Sequence, residues 1–269
     1  MNAEPLKGRV AVVTGAAQGI GRAIATKFAA HGAELVLVDQ RISIETSEAI
    51  GRPSLSLIVD VSTDEGWRRL ADEVEKRYGR VDIVVNNAAY YPHAELDDLS
   101  LDVWQRTLAV NLTACFLSAK HLVPSMRRRR WGRVVNISSN SIGTNSRGIS
   151  HYMASKMGMI GFTRGLANEV GDEGITVNAV LPSITNTAAT AAMPDEAKRA
   201  VWQLQAIRRF AEPEDIAGPV AFLCGDDAAF ITGCRLSRSS TGCVSGNFMM
   251  EEAVVPGLRG ALIGDEVVA

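Results

Sequence analysis

In the heptapeptide SHYMASK, residues 150–156, Tyr152 and Lys156 stand four positions apart. On a helix such residues share one face, with Cβ atoms about 5–6 Å apart. An ammonium held there could stabilise a phenolate and lower a phenol pKa from its ordinary value near 10, which would make a usable general base. The pair alone is a weak signal, because tyrosine and lysine meet at this spacing by accident in many chains. A second chemical pattern lies near the N-terminus. In TGAAQGIG, Gly15, Gly19 and Gly21 follow an apolar run and open a helix-like segment. Glycines there permit a tight turn and let backbone N–H groups reach a pyrophosphate at the helix N-terminus. The spacing is G-x-x-x-G-x-G rather than the commoner G-x-G-x-x-G. The next apolar run ends at Asp39, where a carboxylate can accept both ribose hydroxyls of a dinucleotide and repel a 2′-phosphate. The pattern therefore favours NAD over NADP, although Arg41 nearby leaves some use of both. Asp60, followed by Val61, ends the third run and either meets an adenine edge or serves as an ordinary helix N-cap.

The elements that must position these groups are legible as an alternation. Short apolar runs (VAVVTG, ELVLVD, LSLIVD, VDIVVNN, GRVVNIS and ITVNAVLP) are separated by helix-length amphipathic stretches. Buried parallel strands read this way. Helices are expected at about Ile20–His31, Thr63–Tyr78, Asp102–Arg127, Tyr152–Val170 and Glu212–Cys224. The expected fold is α/β, a single doubly wound parallel sheet of the Rossmann type with helices on both faces. No linker or repeat divides the 269 residues, so 1–269 reads as one dinucleotide-binding catalytic domain.

Composition excludes several function classes. A net charge of −2 with a pI near 6.1 gives no general attraction to nucleic acid or to anionic lipid. The run RRRR at 127–130 ends an expected helix, where cations complement the C-terminal dipole, so it reads as solvated surface. The four cysteines, Cys115, Cys224, Cys234 and Cys243, show no metal-ligand spacing and suit a reducing cytosol. No metal is expected. No stretch reaches the roughly 18 apolar residues of a membrane span, and the start lacks a signal-peptide core. A cytoplasmic protein with no membrane or nucleic-acid partner is the expectation.

Taken in order, the glycine turn, NNAA at 86–89, Asn111, NISS at 136–139, Tyr152 with Lys156, and LPSITNT at 181–187 resemble the short-chain dehydrogenase/reductase family. The likeness spans about residues 6–233. It implies that Tyr152 is the general acid/base, that Lys156 lowers its pKa and holds the nicotinamide ribose, and that Ser139 hydrogen-bonds the substrate oxygen. Asn111 would hold a helix-bound water that relays protons to Lys156. By the same resemblance the first turn binds NAD through Gly15, Gln18, Gly19, Ile20 and Gly21, and the next two strand ends contribute Asp39, Asp60 and Val61. Asn87 and Ala88 follow the fourth strand, and Pro182, Ile184 and Thr187 follow the sixth. Two departures stand out: Ala89 where the family has glycine in NNAG, and Ser183 where it has glycine after proline.

The substrate side should be built from residues 90–93, 140–150 and 184–209, including Tyr90, Tyr91, Ile142, Ile149, Met193 and Trp202. With Ser139 and Tyr152, Tyr91 and Ile149 are the expected substrate contacts. Little cationic charge lies near the chemistry, which suits an apolar or aromatic secondary alcohol or ketone. The wording is somewhat like that of phenylethanol-type dehydrogenases. Reduction of a 3-oxoacyl carrier-protein substrate is the alternative within the family, and a non-catalytic NAD-sensing regulator the alternative outside it. The resemblance also implies a homodimer or homotetramer, pairing through 102–127 and 152–170, with Ala114, Phe116, Gly158 and Met159 as exposed contact residues. Residues 234–269 are atypical. CRLSRSSTGCVSGNFMM stands where an apolar last strand is expected, a break of the kind a shifted reading frame produces. Cys234–Arg238 still alternates enough for a short seventh strand, and a family-type interface built on that strand should be weakened or rebuilt.

Overall fold

A computed structural model describes residues 4–144, 146–191, 193, 195–203 and 205–237. Arg238–Thr241 and the rest of the C-terminal segment lie outside the described residues, as does the side chain of Trp202.

The six apolar runs become six strands: β1 (Val10–Thr14), β2 (Glu34–Asp39), β3 (Leu55–Ile58), β4 (Ile83–Asn86), β5 (Gly132–Ile137) and β6 (Ile175–Leu181). A seventh, β7 (Arg235–Ser237), pairs with β6. All seven are parallel in the order β3-β2-β1-β4-β5-β6-β7. Such a sheet must be covered on both faces, which is why its strands are apolar on both sides. One face packs on α1 (Gly19–Ala30) and α9 (Pro213–Cys224), around the fully buried Phe28. The other packs on α3 (Asp64–Tyr78), α5 (Ala114–Arg129) and α6 (Ser150–Val170), around Trp67. The indole of Trp67 would be an unpaired donor there, but it donates to Val61 O at 2.7 Å.

Local signals set the helix ends. Thr63 caps α3 by accepting from Gly66 N at 3.1 Å, and Glu212 with Asp215 forms a capping box on α9. The helix expected over Asp102–Arg127 is instead α4 (Leu101–Leu108), a π-turn (Ala109–Thr113) and α5. Asn111 sits in the π-turn because its side chain is pulled to a partner outside the helix: Oδ1 accepts from Tyr90 N at 2.8 Å and Nδ2 donates to Tyr90 O at 3.0 Å. Three further helices were not expected from periodicity: α2 (Ile44–Ile50), α7 (Ala188–Ala191) and α8 (Asp195–Gln203).

Two of the four expected contact residues prove to be core. Ala114 and Met159 are 5% and 1% exposed, because they lie on the faces of α5 and α6 that pack into the protein. The exposed large apolar residues of these helices are Phe116 and Met157, each 50% exposed. A Cβ on Gly158 would meet Leu112 Cδ2 at 2.8 Å, so this glycine lets α6 approach the π-turn of its own chain.

Candidate active site

The strand order reverses between β1 and β4, and in open parallel sheets ligands bind beyond the strand C-termini at such a reversal. A cleft of about 1110 Å³ lies there. It is roomier than a pocket for one small ligand, typically about 300–1000 Å³.

The glycine turn forms one end. Gly15 and Gly19 adopt φ of +66° and +56°, a region that costs glycine nothing and other residues considerably more. Gly21 is required for closeness, since a Cβ there would lie 2.1 Å from Gly15 O. Behind the turn, Thr14 Oγ1 accepts from Asn87 N at 2.9 Å and Ala88 N at 3.0 Å, while Asn87 Nδ2 donates to Thr14 O at 2.9 Å. Asn87 thus binds the ends of β1 and β4 together. Asp39 closes β2, its carboxylate accepting from Ala17 N at 3.0 Å and Arg41 N at 3.2 Å. The cradle therefore has the fixed amides, small residues and terminal carboxylate that an adenine dinucleotide needs.

Of the expected cofactor residues, Gly15, Gln18, Gly19, Ile20, Asp39, Val61, Asn87, Ala88, Pro182, Ile184 and Thr187 line the cleft. Gly21 packs beneath the turn rather than facing it. Asp60 is also absent from the lining, where Arg106 stands instead. Arg106 Nη1 and Nη2 both reach Asp60 Oδ2 at 3.2 Å, and Oδ1 accepts from Ser62 N and Oγ at 2.9 and 2.6 Å. Burial pushes the Asp60 carboxyl up, but the Ser62 and Arg106 hydrogen bonds outweigh it and hold the group below the usual range. Its acceptor sites are filled by protein. No sequence signal marked Arg106, whose partner is 46 residues away.

The chemical end is built by β5 and α6. Ser139 follows β5, and its hydroxyl accepts from Ser141 N at 3.1 Å, lies 2.9 Å from Ser141 Oγ and hydrogen-bonds the Tyr152 phenol. Lys156 lies one turn along α6, its Nζ 5.6 Å from the Tyr152 ring centroid and donating to Ile137 O at 2.7 Å. The helical spacing read from SHYMASK thus places both groups in one cleft. Their electrostatics differ from the simple expectation. Burial pushes the Tyr152 phenol up to about 12, with the Ser139 hydrogen bond opposing it and the Tyr91 ring hydroxyl adding to it. Burial also pushes Lys156 down to about 8. Without further positive charge in the cleft, desolvation outweighs any help the ammonium gives the phenolate.

Asn111 is buried beside this pair, bonded to Tyr90 and, through Nδ2, to Ser155 Oγ at 3.0 Å. Its side chain holds the Tyr90 loop and α6 in register. Tyr91 lies against Tyr152, and Ile149, Met193 and Ser183 complete the substrate-side lining. Ile142 packs with Ile160 and Leu181 instead. Three of the four arginines of the run make surface contacts: Arg127 pairs with Glu173 at 2.6 Å, Arg128 with Glu75 at 3.3 Å, and Arg130 donates to Asp172 O at 2.7 Å. Among the described residues no helix is long and apolar enough to cross a membrane, and no cluster of potential ligands could hold a metal ion.

The chain is similar to known proteins. A family profile described as enoyl-(acyl carrier protein) reductase matches residues 15–238. The chain is 35% identical over 233 residues to the 3-oxoacyl-(acyl-carrier-protein) reductase FabG of Haemophilus influenzae, covering 86% of this chain and 96% of that one. It is 37% identical over 240 residues to the human dehydrogenase/reductase SDR family member 4, covering 86% of each. The crystal structure of a putative NAD(P) dependent gluconate 5-dehydrogenase from Beutenbergia cavernae, with NADP bound at low occupancy, superposes with a TM-score of 0.81. It is 36% identical and covers 86% of this chain and 95% of that one. With the dinucleotide cradle and the Ser-Tyr-Lys cleft in place, these matches make the chain a member of the short-chain dehydrogenase/reductase family, NAD(P)-dependent oxidoreductases acting on CH–OH groups.

Proposed function

We propose that residues 1–269 act as one NAD-dependent catalytic unit that interconverts an apolar or aromatic secondary alcohol and its ketone. The observation that carries the substrate class is the composition of the cleft beyond Tyr152. Its described lining there sets Tyr90, Tyr91, Ile149 and Met193 among the neutral hydroxyls and amides of Ser141, Thr144, Ser146, Thr190 and Gln205, while the cations lining the whole cleft are Arg41 and Arg106 at the nucleotide end and Lys156 at the chemistry. A phosphorylated or carboxylated substrate would need a charged partner that this wall does not offer. The hydroxyls of Ser139 and Tyr152 hold the carbonyl oxygen, which fixes its carbon for reaction. In reduction the Tyr152 proton passes to the substrate oxygen as that oxygen gains charge, and in oxidation Tyr152 takes the hydroxyl proton. A nicotinamide held in this cleft would supply the hydride in reduction and accept it in oxidation. Its positive charge in the oxidised form would favour the phenolate, and Lys156 would hold its ribose.

Asp39 supports NAD, because a 2′-phosphate would meet a carboxylate already fixed by Ala17 and Arg41. A second reading, reduction of 3-oxoacyl thioesters, is favoured by the acyl-carrier-protein reductases among the relatives. It asks for a basic docking face, for which Arg129 and Arg130 are the candidates, Arg127 and Arg128 being paired with Glu173 and Glu75. A screen of aromatic and aliphatic secondary alcohols with NAD and with NADP, beside 3-oxoacyl thioesters with NADPH, decides between them by NADH or NADPH absorbance. Turnover confined to the thioesters would overturn the first reading. Assembly as a homodimer through α5 and α6 is part of the same proposal, supported by the exposed Phe116 and Met157. Light scattering should give a dimer or larger, and a monomer at micromolar concentration would contradict it.

A further inference from the structure

The chain leaves the sheet after β6 and returns to it at α9, and residues 183–211 between them form one side of the cleft. One end of this flap is fixed by backbone: Ala211 N donates to Ile184 O at 3.0 Å and Asn186 N to Ala211 O at 2.7 Å. The other fixing point is a pair of side chains. Ser183 and Gln205 both line the cleft and are both only 8% exposed. With the Gln205 amide oriented to satisfy both its ends, Oε1 accepts from Ser183 Oγ at 2.6 Å while Nε2 donates to Arg209 O at 2.8 Å and Ile207 O at 3.2 Å. One amide thus gathers the strand end and the returning loop around itself. Ser183 is anchored in turn, because its own carbonyl accepts from Thr185 Oγ1 at 2.9 Å, and the adjoining Pro182 O accepts from Asn140 N, next to Ser139, at 3.0 Å.

We propose that the Ser183–Gln205 hydrogen bond is the latch that holds the 183–211 flap in its substrate-binding position, which makes Gln205 and Ser183 positioning residues for the substrate. The inference rests on the reading of this cleft as the active site. The hydroxyl is essential to it: glycine, which the family pattern places at 183, has nothing to donate to Gln205. Without Ser183 Oγ, the Gln205 oxygen becomes a buried acceptor with no protein partner, a state that costs more than the bond itself contributes. The amide then turns toward water in the cleft and releases Ile207 and Arg209. Cofactor contacts at Ile184 and Thr187 stay fixed by the backbone bridge to Ala211.

The test uses the full chain with Ser183→Ala, Gln205→Leu, the double variant and Ser183→Thr. Kinetics are measured with whichever secondary alcohol the screen finds best, and NADH binding by fluorescence. Each single variant should raise KM roughly tenfold, the scale of one buried hydrogen bond, with kcat and NADH affinity changed by less than about threefold. The double variant should be no worse than Gln205→Leu alone, because that change already removes the Ser183 bond along with those to Ile207 and Arg209. Ser183→Thr retains the hydroxyl and should keep the KM of the unaltered protein. Additive effects, an unchanged KM in Ser183→Ala, or a threonine variant as impaired as the alanine one would overturn the latch. Limited proteolysis read by mass spectrometry gives a second readout independent of turnover. Cleavage within 184–211 should accelerate in Ser183→Ala and at least as much in Gln205→Leu and the double variant, and unchanged cleavage would overturn the latch even if the substrate reading had failed.

Discussion

The rings of Tyr91 and Tyr152 lie 5.3 Å apart between centroids and are tilted by 48°. This spacing is that of an attractive aromatic pair, worth about 0.5–1.5 kcal/mol beyond burial alone. Both rings line the cleft, and under the proposed function Tyr91 is the wall for the group attached to the reacting carbon. Tyr91→Ala should raise KM for aryl ketones by roughly three- to tenfold on that scale, and Tyr91→Phe should leave it nearly unchanged. Steady-state kinetics on one aryl and one short alkyl ketone check this, with the larger loss expected for the aryl substrate.

Replacing Tyr152 by phenylalanine removes one oxygen and little else. Turnover should fall by about 10²-fold or more, the range of a lost general acid/base, while NADH binding measured by fluorescence changes by only a few-fold. Turnover comparable to the unaltered protein would remove Tyr152 from its assigned role.

The lowered Lys156 pKa has a consequence for stability. Lys156 holds its proton less well in the folded chain, near pH 8, than in the unfolded chain, near pH 10.5. Between these values the unfolded state binds more protons, so this group makes stability rise with pH across that window, and below pH 8 its penalty is fully present. The raised phenol of Tyr152 acts in the opposite sense, but only above about pH 10, where the unfolded chain begins to lose that proton. Melting temperatures of the cofactor-free protein from about pH 7.5 to 9.5 should therefore show a rising contribution that Lys156→Met abolishes. The same slope in both proteins would disprove the assignment.

Asp39→Ala should narrow the preference for NAD over NADP by roughly tenfold, the worth of one charged hydrogen-bonding group at a phosphate or diol. The ratio of kcat/KM for the two cofactors measures it. Equal efficiency with both in the unaltered protein would show that Arg41 rather than Asp39 governs that end of the cleft.

Much of this site was legible because its signals are local. The helix face shared by Tyr152 and Lys156, the glycine turn before α1 and the carboxylate closing β2 each depend on residues a few positions apart. The apolar runs gave the strands for the same reason, since a parallel strand buried on both faces leaves little choice of side chain. What was hidden depends on distant partners. The π-turn at Asn111 answers to Tyr90, the Asp60 carboxylate to Arg106, and Ser183 to Gln205. The burial of Ala114 and Met159 was equally invisible, because small and apolar residues occur on both the inward and the outward faces of these helices and do not say which is outermost. The dominance of desolvation at Tyr152 and Lys156 is likewise a property of the packed cleft, not of the spacing.

The π-turn between α4 and α5 amounts to one residue more than a regular helix would hold over the same span. A deletion within 109–113 would then let α4 and α5 join as one continuous helix, an unusual case in which losing a helical residue makes backbone hydrogen bonding more regular. It would also swing the Asn111 side chain by about 100°, one residue's rotation, away from Tyr90 and Ser155. The loop carrying Tyr90 and Tyr91 would lose its tether while the glycine cradle at the far end of the cleft kept its shape. A single codon thus separates this chain from one that keeps the glycine cradle, Ser139 and Tyr152 but has lost the tether of one wall of the substrate cleft.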